Sequence, residues 1–288
     1  MAFGSRPLES SFVFGLDHIA FAVADLESTR ADLRALGLTT TAVGVCRWTA
    51  RGRSHRARAI SVVFAAGYLD LVESAGAAWP EHLRASPLFR RGIAPSGVVL
   101  ASELLEESRV ALSARGLAVG APYEIDRELP GAVPAGIHYE IFPLREPSLP
   151  FAVIKDSAPG AMRTEEWLRH PSSATGVRRV HLLVPSLPEW RRHSELLFGS
   201  RAGATGTLDL GATGVVAHAE PTEPYLNAAA ELLPRDGRTR LLAVELSVAD
   251  ATSVRTSLER SQVPAIDVDG GIGIEPSAGY GCGILFVS

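Results

Sequence analysis

Lysine is nearly missing from this chain: Lys155 stands alone, and arginine supplies the rest of the 28 basic residues. That bias reads as codon usage before it reads as function. No long basic run occurs and the net charge is −4, which argues against nucleic acid as a partner. Cysteine is scarce as well. Cys46 and Cys282 lie far apart and outside any CxxC, so neither a disulfide framework nor a thiolate zinc site is expected. No stretch approaches the roughly 18 to 20 uninterrupted apolar residues that span a bilayer. The opening MAFGSRPLESSF has no basic region ahead of an apolar core, so no signal peptide is expected. The expectation is a soluble, cytoplasmic protein with no membrane partner.

What is present is ordinary globular composition, 46% hydrophobic and 21% charged, over 288 residues, long enough for two domains. One pattern recurs four times: a short apolar strand, a polar cap, then an amphipathic helix. The copies are LDHIAFAVADLESTRADLRALG at 16–37, SGVVLASELLEESRVALSARG at 96–116, VRRVHLLVPSLPEWRRHSELLFG at 177–199 and TRLLAVELSVADATSVRTSLERS at 239–261. Asp25, Ser102, Ser186 and Asp250 are placed to cap helix N-termini, and Gly37, Gly116 and Gly199 to end three of the helices. Strand-like segments follow each helix. The unit is therefore βαβββ, and the fold class is α+β, with four units paired into two cups. The halves are expected at 1–150 and 177–288, joined by a Pro-, Gly- and Ser-containing linker at 151–176.

LDHIAFAVADLE, with GYLDLVE about fifty residues later, resembles the opening module of the vicinal oxygen chelate superfamily. IHYEIFPLREPSLPFAVIKD, leading into WLRHPSSATGVRRVHLLVPSL, is similar to its two-domain glyoxalase-like branch. The resemblance implies two glyoxalase/dihydroxybiphenyl-dioxygenase-like domains. It also implies that a first-strand His and a fourth-strand carboxylate bind a divalent metal. His18 matches the first, and Asp70 stands where Glu is more usual.

Strand alternation adds to this. Ile19, Phe21 and Val23 alternate with His18, Ala20 and Ala22, and Leu69 and Leu71 flank Asp70, which points the small and polar set to the concave side. His138 and Glu140 share a face of a later strand, taken as the fourth of its unit, with Ser96 at the place of His18. The expected ligands are His18, Asp70 and Glu140, suiting Mn, Fe, Co, Ni or Zn, with Glu140 or His138 carrying protons. No nucleotide cofactor is expected. Arg51, Arg53 and Arg58, with Arg56 and the neighbouring Trp48, form either a substrate clamp at the cup mouth or a solvated hairpin. A second, alternative site is His181, His218 and Glu245 in the C-terminal half, where Ala243 and Leu285 stand at expected ligand positions.

These residues fit a metal-dependent isomerase or lyase acting on a small oxygenated molecule through an enolate-like intermediate. The alternatives are a metal-free protein that binds and sequesters a small molecule, an oxygenase of the extradiol type, and a scaffold whose site has decayed. A homodimer is compatible with all of these readings.

Overall fold

The computed structural model describes residues 15–50, 53–73, 93–131, 136–146, 148–199, 206–278 and 281–288. The first unit comprises β1 (Gly15–Val23), α1 (Leu26–Ala35), β2 (Gly44–Ala50), β3 (Arg53–Val63) and β4 (Tyr68–Glu73). Asp25 caps α1 by accepting from the Glu27 and Ser28 amides, and Leu26 and Leu33 bury the helix's apolar stripe. Gly37 ends it at a φ of +72°, where a Cβ would lie 2.8 Å from the Ser172 amide nitrogen. The second unit repeats the order with β5 (Ile93–Ala101), α2 (Leu105–Ala114), β6 (Tyr123–Glu128), β7 (Ile137–Pro143) and β8 (Phe151–Asp156). Its cap differs from expectation. Leu104, not Ser102, is the N-cap, and the Ser102 hydroxyl instead accepts from the Leu104 amide and contacts Ser108.

The two units close into one barrel, in the order β1-β4-β3-β2-β6-β7-β8-β5. Within each unit the first and fourth strands run parallel, as the helical crossover between them requires. Antiparallel pairings of β1 with β5 and of β2 with β6 seal the two seams. β8 lies inside the stretch expected to be linker. Phe151, Val153 and Ile154 are an apolar strand segment, and the Pro- and Gly-containing composition that suggested a linker is confined to residues 157–176. There α3 (Glu165–Leu168) is a single turn capped by Thr164.

The C-terminal half holds β9 (Ala174–Leu183), α4 (Leu187–Phe198), β10 (Thr207–Asp209), β11 (Gly214–His218) and α5 (Pro224–Glu231). It ends with β12 (Arg240–Val248), α6 (Ala251–Arg260), β13 (Ala265–Val268), β14 (Gly271–Ile274) and β15 (Gly283–Val287). Three units are complete βαβββ, and the third shows three strands among the described residues. This sheet is open, ordered β10-β11-β9-β12-β15-β14-β13. α5 lies against it, with Leu226, Ala229 and Ala230 packed on Leu183, Leu242 and Leu285.

The halves share a continuous core running from Ile19 and Leu33 through Phe151 to Trp190 and Phe198. His170 fastens the connection: its Nδ1 accepts from the Thr39 amide at 3.0 Å and its Nε2 reaches the Val63 carbonyl at 3.0 Å. Among the described residues no helix is long and apolar enough to cross a membrane.

Candidate functional site

The barrel encloses a cavity of about 630 Å³. It exists because the inward positions near its seam are small: Ala20 and Ala22 on β1, Gly97 on β5 and Ala152 on β8. The helix-facing positions of β1 (Ile19, Phe21, Val23) are buried in the core.

Deep in the cavity wall, Asp70 is joined to Arg127 of β6. The guanidinium donates from Nη1 to Asp70 Oδ1 at 2.8 Å, and its Nη2 contacts Ser61 Oγ at 3.0 Å. Ser61 in turn donates to the same Asp70 oxygen at 2.7 Å. Burial works against charge on Asp70, but Arg127, His18 and Ser61 together outweigh it and hold the carboxyl below its usual range. Arg127, also opposed by burial, is kept protonated by Asp70. Nearby, burial pushes the Cys46 thiol up to about 11, so it is an inert wall group. The Tyr139 hydroxyl and Arg127 Nε are buried without a hydrogen-bond partner among the described residues.

His18 stands beside this pair. Its Nδ1 lies 2.6 Å from Asp17 Oδ1, and its ring stacks on Tyr68 with centroids 4.7 Å apart and planes 24° from parallel. At the mouth, Trp48 stacks on His55 from the paired position of β3, at 5.2 Å between centroids. A second hollow of about 670 Å³ continues outward from there, edged by Arg47, Tyr123, Glu124, Asp126 and Glu140.

Of the three expected ligands, His18 and Asp70 line the cavity and Glu140 does not. β7 turns Ile137, Tyr139 and Ile141 inward and leaves His138 and Glu140 outside, with side chains 41% and 42% exposed. There His138 pairs with Asp126 at 2.9 Å, which raises its pKa, and Glu140 with Lys155 at 3.2 Å. The reason is a strand miscount. β7 is the third strand of its unit, and β8 is the fourth, parallel to β5. Ala20 pairs with Asp70 between β1 and β4, and Val99 with Ala152 between β5 and β8. Counted back from the starts of α1 and α2, Gly97, not Ser96, holds the place of His18. The counterparts of His18 and Asp70 are therefore Gly97 and Ala152, neither of which has a ligating atom.

This donor set does not fit a resident divalent ion. Asp70 already shares its oxygen with a guanidinium, whose charge would oppose a cation there. No group of three or more His, Cys, Asp or Glu side chains is arranged to hold a metal among the described residues.

The arginine cluster also divides. Arg58 is drawn to the outer face, to Glu27 at 2.9 Å and Glu73 at 3.2 Å, tying α1 to β4. Arg56 borders the cavity, while Arg51 and the side chain of Arg53 lie outside the described residues.

In the C-terminal half, His181, His218 and Glu245 do come together, but as a chain. His181 Nδ1 is 3.0 Å from His218 Nε2, and its Nε2 is 2.8 Å from Glu245 Oε1, so the ring bridges its neighbours. Burial, with His181 alongside, lowers the His218 pKa to about 4. Glu245 is held low despite burial, by His181 and Arg179. The cup itself is filled: the Tyr225 hydroxyl of α5 donates to the Ile274 carbonyl at 2.7 Å and accepts from the Ile284 amide at 2.9 Å. Its ring occupies the space that side chains at Gly273 and Gly283 would take.

Arg127 escapes sequence reasoning because it stands among Glu124, Asp126 and Glu128, where nothing local separates a buried guanidinium from a solvated one. Tyr68 was recoverable, since it lies two residues before Asp70 and so shares its face.

A family model described as a glyoxalase-like domain matches residues 16–197. No curated protein matches the sequence. Among solved structures, the fold is similar to the Mn(II)-bound glyoxalase from Novosphingobium aromaticivorans, at 13% identity and a TM-score of 0.55, covering 95% of this chain and 81% of that one. It is also similar to the 2,3-dioxygenase LapB from Pseudomonas sp. KL28, at 13% identity and 0.55, covering 95% and 91%. A hypothetical protein from Staphylococcus aureus aligns at 9% identity and 0.55, over 94% and 98%.

Proposed function

The chain belongs to the glyoxalase-like domain family, within the vicinal oxygen chelate superfamily, and from that premise we propose that its N-terminal barrel captures a small, largely apolar organic molecule without a metal held by its own residues. The observation that carries this reading is the Asp70–Arg127 pair at 2.8 Å, which neutralises the one carboxylate standing at an expected ligand position in the cavity. A cavity of about 630 Å³ is of the size that holds a drug-sized ligand, and its lining of Trp48, Tyr68, Tyr123, Tyr139 and aliphatic side chains favours an aromatic or heteroaromatic body. The floor is polar and carries one charge of each sign, which favours an uncharged ligand over an anion or a cation.

A metal-dependent isomerase or lyase would need a third ligand where Ala152 or Gly97 stands. The Mn(II)-bound glyoxalase among the structural neighbours supports a metal for the fold, and the side chains of this barrel argue against one here.

Equilibrium dialysis of purified protein against Mn(II), Fe(II), Co(II), Ni(II) and Zn(II), alongside uncharged and anionic naphthalene derivatives, tests the reading. Saturable binding of the uncharged aromatics, unchanged by EDTA, is the expected result. Stoichiometric metal uptake that disappears in both His18→Ala and Asp70→Ala would sink it.

A further inference from the structure

We infer that His18, oriented by Asp17, is a metal-independent general base that withdraws a proton from an uncharged aromatic or heteroaromatic molecule seated in the barrel cavity. The inference rests on the cavity being a ligand site, as proposed above, and adds a reaction to it.

Three observations converge. His18 Nδ1 lies 2.6 Å from Asp17 Oδ1, so Asp17 accepts the Nδ1 proton and leaves the lone pair on Nε2. That second nitrogen bonds no protein group among the described residues, although the side chain is only 8% exposed and lines the cavity. Stacking on Tyr68 fixes the plane of the ring, so the base needs no reorganisation before it acts. At a position where the superfamily resemblance places a metal ligand, this chain holds an imidazole with a carboxylate behind it and an open nitrogen in front.

Arg127 and Tyr139 stand in the same cavity wall. Arg127 uses Nη1 and Nη2 on Asp70 and Ser61, while its Nε and the Tyr139 hydroxyl are unpartnered among the described residues. Both unpartnered atoms are closed off from the cavity, so the proton abstraction is carried by His18 and its orienting carboxylate alone. His18 is the catalytic residue in this scheme, and Asp17 is a positioning residue.

The test needs no knowledge of the natural ligand. The probe is 5-nitrobenzisoxazole, an uncharged planar bicycle. His18 Nε2 takes the proton from C3, the C–H electron pair completes the nitrile, and the ring N–O bond breaks. The charge leaves on the phenolate oxygen of 2-cyano-4-nitrophenolate, which absorbs visible light, and the imidazolium then returns its proton to solvent. No oxidant, reductant or metal enters the balance.

Saturable turnover, insensitive to EDTA and faster than with free imidazole at equal concentration, is expected from the full chain. His18→Gln should lower kcat about 100-fold with KM unchanged. Asp17→Asn should lower kcat without moving KM, a split that a loss of packing would not produce. His18→Asn serves as the second variant if His18→Gln does not give a folded protein by circular dichroism. Probe bound in the cavity without turnover would overturn the inference and leave the ligand-site reading standing, as would full turnover in the His18 variants. Turnover abolished by EDTA overturns both, and so does failure of the probe to bind at all.

Discussion

Arg127 on β6 reaches across the barrel to Asp70 on β4, donating at 2.8 Å with its side chain 1% exposed. The contact links the second unit of the barrel to the first through charge.

Cutting that link should be costly. Arg127→Met leaves the Asp70 carboxylate buried without its counter-ion, and a loss of about 3–5 kcal/mol in urea unfolding is expected. The double variant Asp70→Leu with Arg127→Met should recover most of it, because both buried charges are then gone. The wild-type pair also sets an acid limit. The Asp70 pKa is lowered in the folded state, so its stabilisation is complete above the unfolded carboxyl value and is lost as pH falls through the folded one. Asp70→Asn should flatten that acid limb.

His170 sets a milder acid dependence. Burial lowers its pKa against the opposing pull of the Val63 carbonyl, and its Nδ1 must stay unprotonated to accept from Thr39. A histidine with a depressed folded pKa contributes stability that is present above its unfolded value, about 6.5, and erodes as pH falls below it. His218, lowered to about 4, adds to the same slope. Thermal unfolding between pH 8 and pH 5 should show a falling Tm, with a shallower fall in His170→Leu even though that variant is less stable at pH 8. Equal slopes for the two proteins would refute the assignment.

Ligand stoichiometry depends on α5. Tyr225 and Leu226 fill the C-terminal cup, so calorimetry with an uncharged aromatic ligand should give one site per chain. Tyr225→Ala removes a buried ring and its hydrogen bonds to Ile274 and Ile284, and should cost about 3–5 kcal/mol of stability. A second site of equal affinity in the wild-type chain would contradict the filled cup.

The outer face of β7 should be dispensable. His138→Ala and Glu140→Ala each remove one exposed ion pair, worth about 1 kcal/mol or less. Ligand affinity should stay within about twofold of wild type, since neither side chain lines the cavity. Trp48→Ala, which strips the mouth of its stacked ring, should weaken binding by about tenfold, the size of one aromatic stacking contact. A tenfold loss in Glu140→Ala would return that residue to the site.

Local patterning was enough to locate the four strand–helix repeats and three of the caps, Asp25, Ser186 and Asp250, because those features depend on neighbours a few residues away. It was enough, too, to put His138 and Glu140 on one strand face and His18 with Ala20 on another. Alternation states which residues share a face and is silent on which face looks inward. On β1 the helix covers the bulky side and the cavity takes the small one. On β7 the bulky residues themselves face the interior, and the charged ones meet water. Only barrel closure decides between these, since it sets which strand is fourth in its unit. The same closure brings Arg127 to Asp70 over 57 residues of sequence, a distance across which no local pattern carries information.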